Sequence, residues 1–499
     1  MRDCDRKFDA VLDQKALSET RVPMILVAGT GSGVGKTSVT LGLVRALSRS
    51  GLRVQPFKVG PDFLDPTYLS LAAGRTCYNL DTWMCGAAYV ASLVARKARD
   101  ADVVVIEGAM GLFDGAAPDS SEGSAAEIAR LLDASVLLVC NAAGQGRSFA
   151  ATVKGFVEFD SEVNIARVLA NRVGSASHVR LLEEALRSAD LPPLVGGIEK
   201  GAFPKLESRH LGLVAADVSA QIDQTIEALA DVVEADASME RIFDTVPNPR
   251  PLPWEGRGDR NGRKAPHLAG EGLGRGLRLG IARDAAFSFY YPDNLEAFEA
   301  AGFELVPFSP IADPCVPEGL DALYIGGGYP EISAEALSEN ESMRLSIRSF
   351  CRSGRPVYAE CGGLMYLSEA VVQTDGAIHA MVGVLPGACR MHNKLQALGY
   401  AEVVLREESL FGDAGTRLRG HAFHYSSLDD SQLEDRGWRS AYEVGLSRGR
   451  TKLKEGYAKD NVLISYVHLH WASHKTAVLY FRDKCLNDAL AEKGAANHG

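Results

Sequence analysis

A chain of 499 residues suggests two or three domains, and 46% hydrophobic with 23% charged residues is the composition of soluble globular protein. A net charge of −11 without a large basic stretch speaks against nonspecific nucleic-acid binding, and the lack of any run of eighteen apolar residues speaks against a membrane-spanning helix. Nine cysteines, at 4, 77, 85, 140, 315, 351, 361, 389 and 485, are scattered without metal-type pairs, so reduced thiols are expected rather than a disulfide framework.

Residues 1–21 have no apolar core behind their charges and read as a loose extension, not a secretory signal. Residues 24–28 then have the length and branching of a buried parallel strand. The run Gly29-Thr30-Gly31-Ser32-Gly33-Val34-Gly35-Lys36-Thr37 follows directly and opens into a helical pattern over 38–48. Strand, glycine loop and helix in that order make a phosphate cradle. Gly31, Gly33 and Gly35 let backbone amides approach phosphate oxygens, Lys36 reaches the terminal phosphates and Thr37 can hold Mg²⁺. The usual G-x-x-x-x-G-K-[ST] spacing puts glycine at position 30, but Thr30 stands there and the glycine comes one residue earlier, at Gly29.

Apolar strand candidates at 52–57, 103–106, 136–140 and 165–170 alternate with helical segments up to about residue 240, which predicts an α/β domain over 22–244 with a mostly parallel sheet. Within it, Lys58 ends a strand and is followed by Asp62 and Asp65 in a proline-containing turn. The carboxyl edge of an open α/β sheet is where ligands bind, so these residues are candidates for a phosphate-facing cation, metal ligands and substrate contacts. Glu107 arrives at the next strand end as a second acidic metal position, with Asp114 on the glycine-rich continuation GAMGLFDG. Asn79, Asp81 and the stretch 121–127 read either as site residues or as a turn and a helix cap. Asn171 follows a further strand and suits either base reading or capping. The charged motif at Glu207, Arg209 and His210 suits either an anion contact or ordinary ion pairing.

Residues 245–276, rich in proline, glycine and arginine, read as a linker. A second α/β series begins at Leu277 and extends over 277–490, with strand candidates at 304–308, 322–325 and 356–359. Its sharpest feature is Tyr358-Ala-Glu360-Cys361-Gly362-Gly363, a strand entering a tight turn and helix, which presents Cys361 on an elbow as a nucleophile. Upstream, Gly326-Gly327-Gly328 ends another strand, so Gly327, Gly328 and Gly362 are the candidate oxyanion donors. His468 and His470 fall on one face of a late strand candidate, and either is placed to serve as the base.

As an ordered set, GTGSGVGKT, FKVGPDFLDPTYL, NLDTWM, IEGAMGLFDG, ESRHLGL, RDAAFSFYYPDN, GGGYPE, AECGGLMYL, GHAFHYS and SYVHLHWAS resemble the cobyrinic acid a,c-diamide synthase family. The first domain looks like the dethiobiotin-synthetase group of ATPases and the second like a class I glutaminase. The resemblance implies that Cys361 is the glutaminase nucleophile and His468 its general base. It implies ATP, glutamine and a corrinoid or other tetrapyrrole carboxylate as partners, Mg²⁺ as cofactor, no nucleic acid or membrane, the cytoplasm as compartment, and a homodimer as candidate assembly. Lys36 and Lys58 would face phosphate charge, Thr37, Asp62 and Glu107 the metal, and Asp65 and Asp114 the substrate or the metal's surroundings. Class I glutaminases often carry Glu two residues after the histidine, where this chain has His470, and the family's GHEFHYS has Ala422 in place of Glu here. The same amidation of sirohydrochlorin, its nickel complex or sirohaem is the nearest alternative, and a P-loop switch ATPase or macrocycle carrier the alternative of a different class.

Overall fold

The computed structural model describes residues 22–204, 220–243, 276–446 and 452–496, and the chain divides into two compact units, 1–261 and 262–499. The N-terminal extension, the motif at Glu207, Arg209 and His210, and residues 245–275 of the linker lie outside the described residues.

In the first unit, β1 (Met24–Gly29), β2 (Val54–Val59), β3 (Tyr78–Leu80), β4 (Val103–Glu107), β5 (Ser135–Asn141), β6 (Ile165–Val173) and β7 (Leu194–Glu199) form one sheet. Its order is β3-β2-β4-β1-β5-β6-β7, and every pairing is parallel. Both faces are covered, which is why β1 reads as a continuous apolar run rather than an alternation. Leu26 and Ala28 join the core on one face with Val104, Ile106 and Leu138, while Ile25 and Val27 join that on the other with Val105, Leu137 and Val139. The strand order switches direction beside β1, so the loops after β1 and β4 flank the crevice in which such sheets hold ligands.

In the second unit, β8 (Leu277–Ala282), β9 (Phe303–Phe308), β10 (Ala322–Ile325) and β11 (Val357–Glu360) are followed by β12 (Ala370–Val372), β13 (Ile378–Ala380) and β14 (Ala388–Met391). Then come β15 (Ala397–Leu405), β16 (Arg417–His424), β17 (Ser426–Leu428), β18 (Arg439–Leu446), β19 (Lys452–Lys459), β20 (Val462–Ser465) and β21 (His468–Leu469). A ten-stranded sheet runs β21-β16-β15-β18-β19-β20-β11-β10-β8-β9, and β12, β13, β14 and β17 form a separate small sheet. From β9 to β20 the pairings are parallel. From β20 to β21 they are antiparallel, an extension the pattern does not reveal. Only Tyr466 and Val467 separate β20 from β21, yet the two strands close opposite ends of that antiparallel run. The run must therefore curl back on itself, and the curl carries β16 and β21 to the end of β11.

Candidate functional site

In the first unit the phosphate loop leaves β1 and enters the helix Lys36–Arg49, whose first turn carries no acidic residue and whose N-terminus has no side-chain cap. The uncapped amides face the loop, as an anion site requires. Gly33 and Gly35 have φ of 76° and 100°, in the region that favours glycine. The early glycine has a packing reason: a Cβ on Gly29 would stand 2.5 Å from Val34 Cγ2 and 2.9 Å from Lys36 Cδ. Lys36 Nζ lies back over the loop and donates to the Gly31 carbonyl at 2.9 Å. Asn171, buried at the end of β6, donates to the Val34 carbonyl at 2.8 Å and accepts from the Arg172 amide at 2.8 Å. Its amide thus braces the loop backbone.

Beside the loop lies a buried charge cluster. Lys58 Nζ stands 2.7 Å from Asp65 Oδ2 and 3.1 Å from Glu107 Oε1, and Thr37 Oγ1 donates to Glu107 Oε1 at 2.7 Å. Burial alone would lower the Lys58 pKa, but Glu107, Asp65 and Asp62 override it and hold the ammonium above its ordinary range. Burial and then the Asp65 charge push the Glu107 carboxyl upward, against the pull of Lys58 and Thr37. Glu107 Oε2 is buried and finds no hydrogen-bond partner among the described residues. Asp62 Oδ1 accepts from the Leu64 and Asp65 amides at 2.8 and 3.2 Å, and Asn79 holds the same turn through the Gly60 and Asp62 carbonyls. Asp114 is exposed and accepts from the Gly111 amide at 2.8 Å, closing a loop that the Leu112 amide ties to Gly29. Asp81 and Ser124 are helix caps, accepting from the Met84 and Glu127 amides. The Thr37 hydroxyl with the orphaned Glu107 oxygen suits a hard cation that takes oxygen ligands and shares its shell with phosphates and water. Among the described residues, no group of three His, Cys, Asp or Glu could hold a metal by itself.

In the second unit, Cys361 sits between β11 and the helix Gly362–Leu367 with φ of 47°, the strained turn of a nucleophile elbow. Its amide donates to the Ser465 carbonyl at 2.7 Å, and its Sγ lies 3.8 Å from the Phe423 carbonyl on β16. His468 is 2% exposed, with Cys361 and Glu360 acting on its charge. Burial alone would lower the His468 pKa, but the Cys361 charge and hydrogen bond, and then Glu360, raise it above the ordinary imidazole range. That favours the imidazolium form of His468 beside Cys361. Glycines make the necessary room. A Cβ on Gly327 would stand 2.3 Å from His468 Cε1, and one on Gly362 would stand 2.9 Å from the Gly328 amide nitrogen. The three candidate oxyanion glycines are therefore packed around the cysteine and its histidine.

The two histidines part company despite their spacing. His470 Nε2 turns to Asp293 Oδ2 at 3.4 Å, its Nδ1 accepts from the Ala472 amide at 3.2 Å, and its ring rests on Tyr291. Strand pairing lasts only through His468 and Leu469 before a tight turn begins at Trp471, so the shared face predicted for the pair is not maintained. Tyr291 Oη also bonds His421 Nδ1 at 3.0 Å, and the His421 ring stacks on that of His468 at 5.1 Å between centroids. Burial, then the charge on His468, depresses the His421 pKa. Ala422 is buried in β16 opposite Gly399, so the family's acidic group at that place has no counterpart. Four residues around the base had no role assigned from sequence: Glu360, Asp293, Tyr291 and His421. Each stands inside a motif that carries the resemblance, which was the available signal.

All eight described cysteines are free, and among the described residues no helix is long and apolar enough to cross a membrane. Residues 25–242 match the CobQ/CobB/MinD/ParA nucleotide binding domain, and residues 278–476 match the CobB/CobQ-like glutamine amidotransferase domain. The cobyrinate a,c-diamide synthase of Syntrophotalea carbinolica is 50% identical over 467 residues, covering 94% of this chain and 99% of that protein. The cobyrinate a,c-diamide synthase of Priestia megaterium is 39% identical, covering 92% and 96%. The hydrogenobyrinate a,c-diamide synthase of Streptomyces coelicolor is 40% identical, covering 94% and 98%. With an uncapped glycine loop in one unit, a cysteine on a tight elbow near a buried histidine in the other, and relatives matched nearly end to end, the chain belongs to the cobyrinate a,c-diamide synthase family.

Proposed function

We propose that the chain amidates the a and c acetate carboxylates of cobyrinic acid, using ATP and glutamine, as a step of cobalamin biosynthesis. The observation that carries this reading is the buried Cys361–His468 pair on its glycine-lined elbow, in a chain that also holds a complete phosphate loop. Cys361 attacks the side-chain amide carbon of glutamine, and backbone amides of the Gly327, Gly328 and Gly362 set receive the developing oxyanion. His468 passes the proton to the departing ammonia, and water then releases glutamate from the thioester. In the first unit the γ-phosphoryl of ATP passes to an acetate carboxylate, and ammonia displaces phosphate from the acyl phosphate to leave the amide. Lys36 and Lys58 offset phosphate charge. Thr37, Glu107 and Asp62 would hold Mg²⁺, which when bound neutralises charge on the phosphates. Asp65 fixes Lys58, and Asp114 shapes the loop nearest the substrate. Asn171 keeps the phosphate loop in its nucleotide-binding form.

The amidoligase segment is 22–244 and the glutaminase segment 277–490, with 245–276 linking them and 1–21 outside both. Neither nucleic acid nor a membrane takes part, the compartment is the cytoplasm, and a homodimer is the assembly to test. The Streptomyces relative favours a second reading in which hydrogenobyrinic acid is the ring that is amidated. Mass spectrometry of the purified chain with ATP, Mg²⁺, glutamine and, in parallel, cobyrinic acid, hydrogenobyrinic acid, sirohydrochlorin and sirohaem decides between them. Each carboxylate converted to an amide lowers the mass by about one unit, and two such steps on cobyrinic acid are expected, with Cys361→Ala losing the glutamine-supported product. Turnover only of a sirohaem-type ring would move the pathway, and ATP turnover without amidation would favour a switch or carrier.

A further inference from the structure

With His470 in the place where class I glutaminases often carry their acidic residue, the orienting carboxylate for His468 has to come from elsewhere in the fold. The residue immediately before the nucleophile supplies one. Glu360 is the last residue of β11, 2% exposed, and its Oε2 lies 3.8 Å from His468 Nδ1. We infer that Glu360 is the positioning residue for the catalytic histidine, reached from the nucleophile's own strand instead of from the histidine's.

The carboxylate is held by more than packing. Tyr358 Oη donates to Oε1 at 2.7 Å, Tyr324 Oη donates to Oε2 at 2.8 Å, and the Leu469 amide donates to Oε1 at 3.0 Å. The last contact matters most for position, because it fixes the backbone next to His468 with the same group whose other oxygen faces the ring. Burial first, then the Glu360 charge, raises both tyrosine hydroxyls well above their ordinary range, so they remain donors. The other titratable groups around His468 include Cys361, His421, which stacks on its face and is kept neutral by burial, and His424, which burial pushes down to about 4. The nearby Asp293 carboxylate is directed to His470. An acid at Glu360 would favour the imidazolium and hold one tautomer, the service the third member of a nucleophile–base pair performs.

The inference rests on the glutaminase reading of Cys361 and His468, but not on which macrocycle is amidated. It is tested by the pH dependence of Cys361 alkylation with iodoacetamide in the full-length chain, followed on the peptide that carries Cys361, together with glutamine hydrolysis. Glu360→Gln should raise the alkylation midpoint by about one pH unit, because the imidazolium that stabilises the thiolate is itself less favoured. Glutamine hydrolysis should fall at least about 100-fold. In a His468→Ala background the same substitution should change alkylation by less than about twofold, since its route of action is gone. Equal effects in both backgrounds, or an unmoved midpoint, would overturn the inference. Tyr324→Phe keeps the result readable if Glu360→Gln does not fold. Freed of that donor, Oε2 should approach His468 and move the midpoint down, and an unmoved midpoint again counts against it. If His468→Ala alone leaves neutral-pH alkylation unchanged, the glutaminase reading fails, and this inference falls with it.

Discussion

Lys58 illustrates how a residue proposed to act in the chemistry also bears on stability. A fully buried ammonium is costly unless paired, and here Asp65 and Glu107 supply the pairing at 2.7 and 3.1 Å. Replacing it by methionine would leave two buried carboxylates facing each other without a cation. Lys58→Met is therefore expected to destabilise the first unit by about 3–5 kcal/mol, read from urea denaturation, and to abolish ATP-dependent amidation. A midpoint equal to that of the native chain would show that the cluster is solvated and not a true buried pair. Lys58 and Glu107 were legible in the sequence because each stands at the carboxyl end of an apolar strand, and Asp65 because it opens a helix just after the turn that follows Lys58. Their pairings were not, because a strand end gives position along the sheet but not the neighbouring strand. Glu360 was hidden for a similar reason: one carboxylate before a reactive cysteine looks like any strand terminus until Leu469 and His468 are brought against it.

At the level of elements, the glycine loop after β10 and the turn between β20 and β21 set the geometry of the cysteine's partner. Gly327 is the point of contact, with no room for a methyl beside the His468 ring. Gly327→Ala should push that ring away and cut glutamine hydrolysis by about 100-fold, with ammonia-supported amidation retained, and a steady-state assay with each nitrogen source checks it. The turn itself is held by Glu455 on β19, which accepts from the Ser465 hydroxyl at 2.7 Å and the Tyr466 amide at 2.6 Å. Burial pushes the Glu455 carboxyl from 4.5 up to about 7. The folded state then binds more protons than the unfolded state between those values, so this group's contribution to stability falls as pH rises through that window and stays low above it. Glu455→Gln should flatten that part of the stability curve and gain on the order of 1–3 kcal/mol at pH 8, measured by denaturation across pH. The parallel strands around β11 were readable as apolar runs. The curled antiparallel run was not, since its partners depend on a closure between β20 and β21 that no local pattern encodes.

For the whole molecule, the division into two compact units, each with its own main sheet and cores, underlies the proposed placement of one partial reaction in each. The first has the glycine loop and the Lys58 cluster, and the second has the Cys361 elbow, His468 and the candidate oxyanion glycines. If each unit carries all that its own step needs, damage to one should leave the other's step measurable. Cys361→Ala should lose glutamine hydrolysis and glutamine-supported amidation, yet amidate with ammonium salts. That rate should rise with pH, because only neutral ammonia has the lone pair to attack an acyl phosphate. Lys36→Ala should show the reverse, with glutamate still released from glutamine and no amide formed, since Lys36 lies in the phosphate loop and more than two hundred residues of sequence separate it from Cys361. Both variants are assayed in the full-length chain with glutamate release and product mass followed side by side. Loss of glutamate release in Lys36→Ala would mean that the elbow reaches its working geometry only when nucleotide is held, and the two partial reactions would then have to be treated as one coupled site.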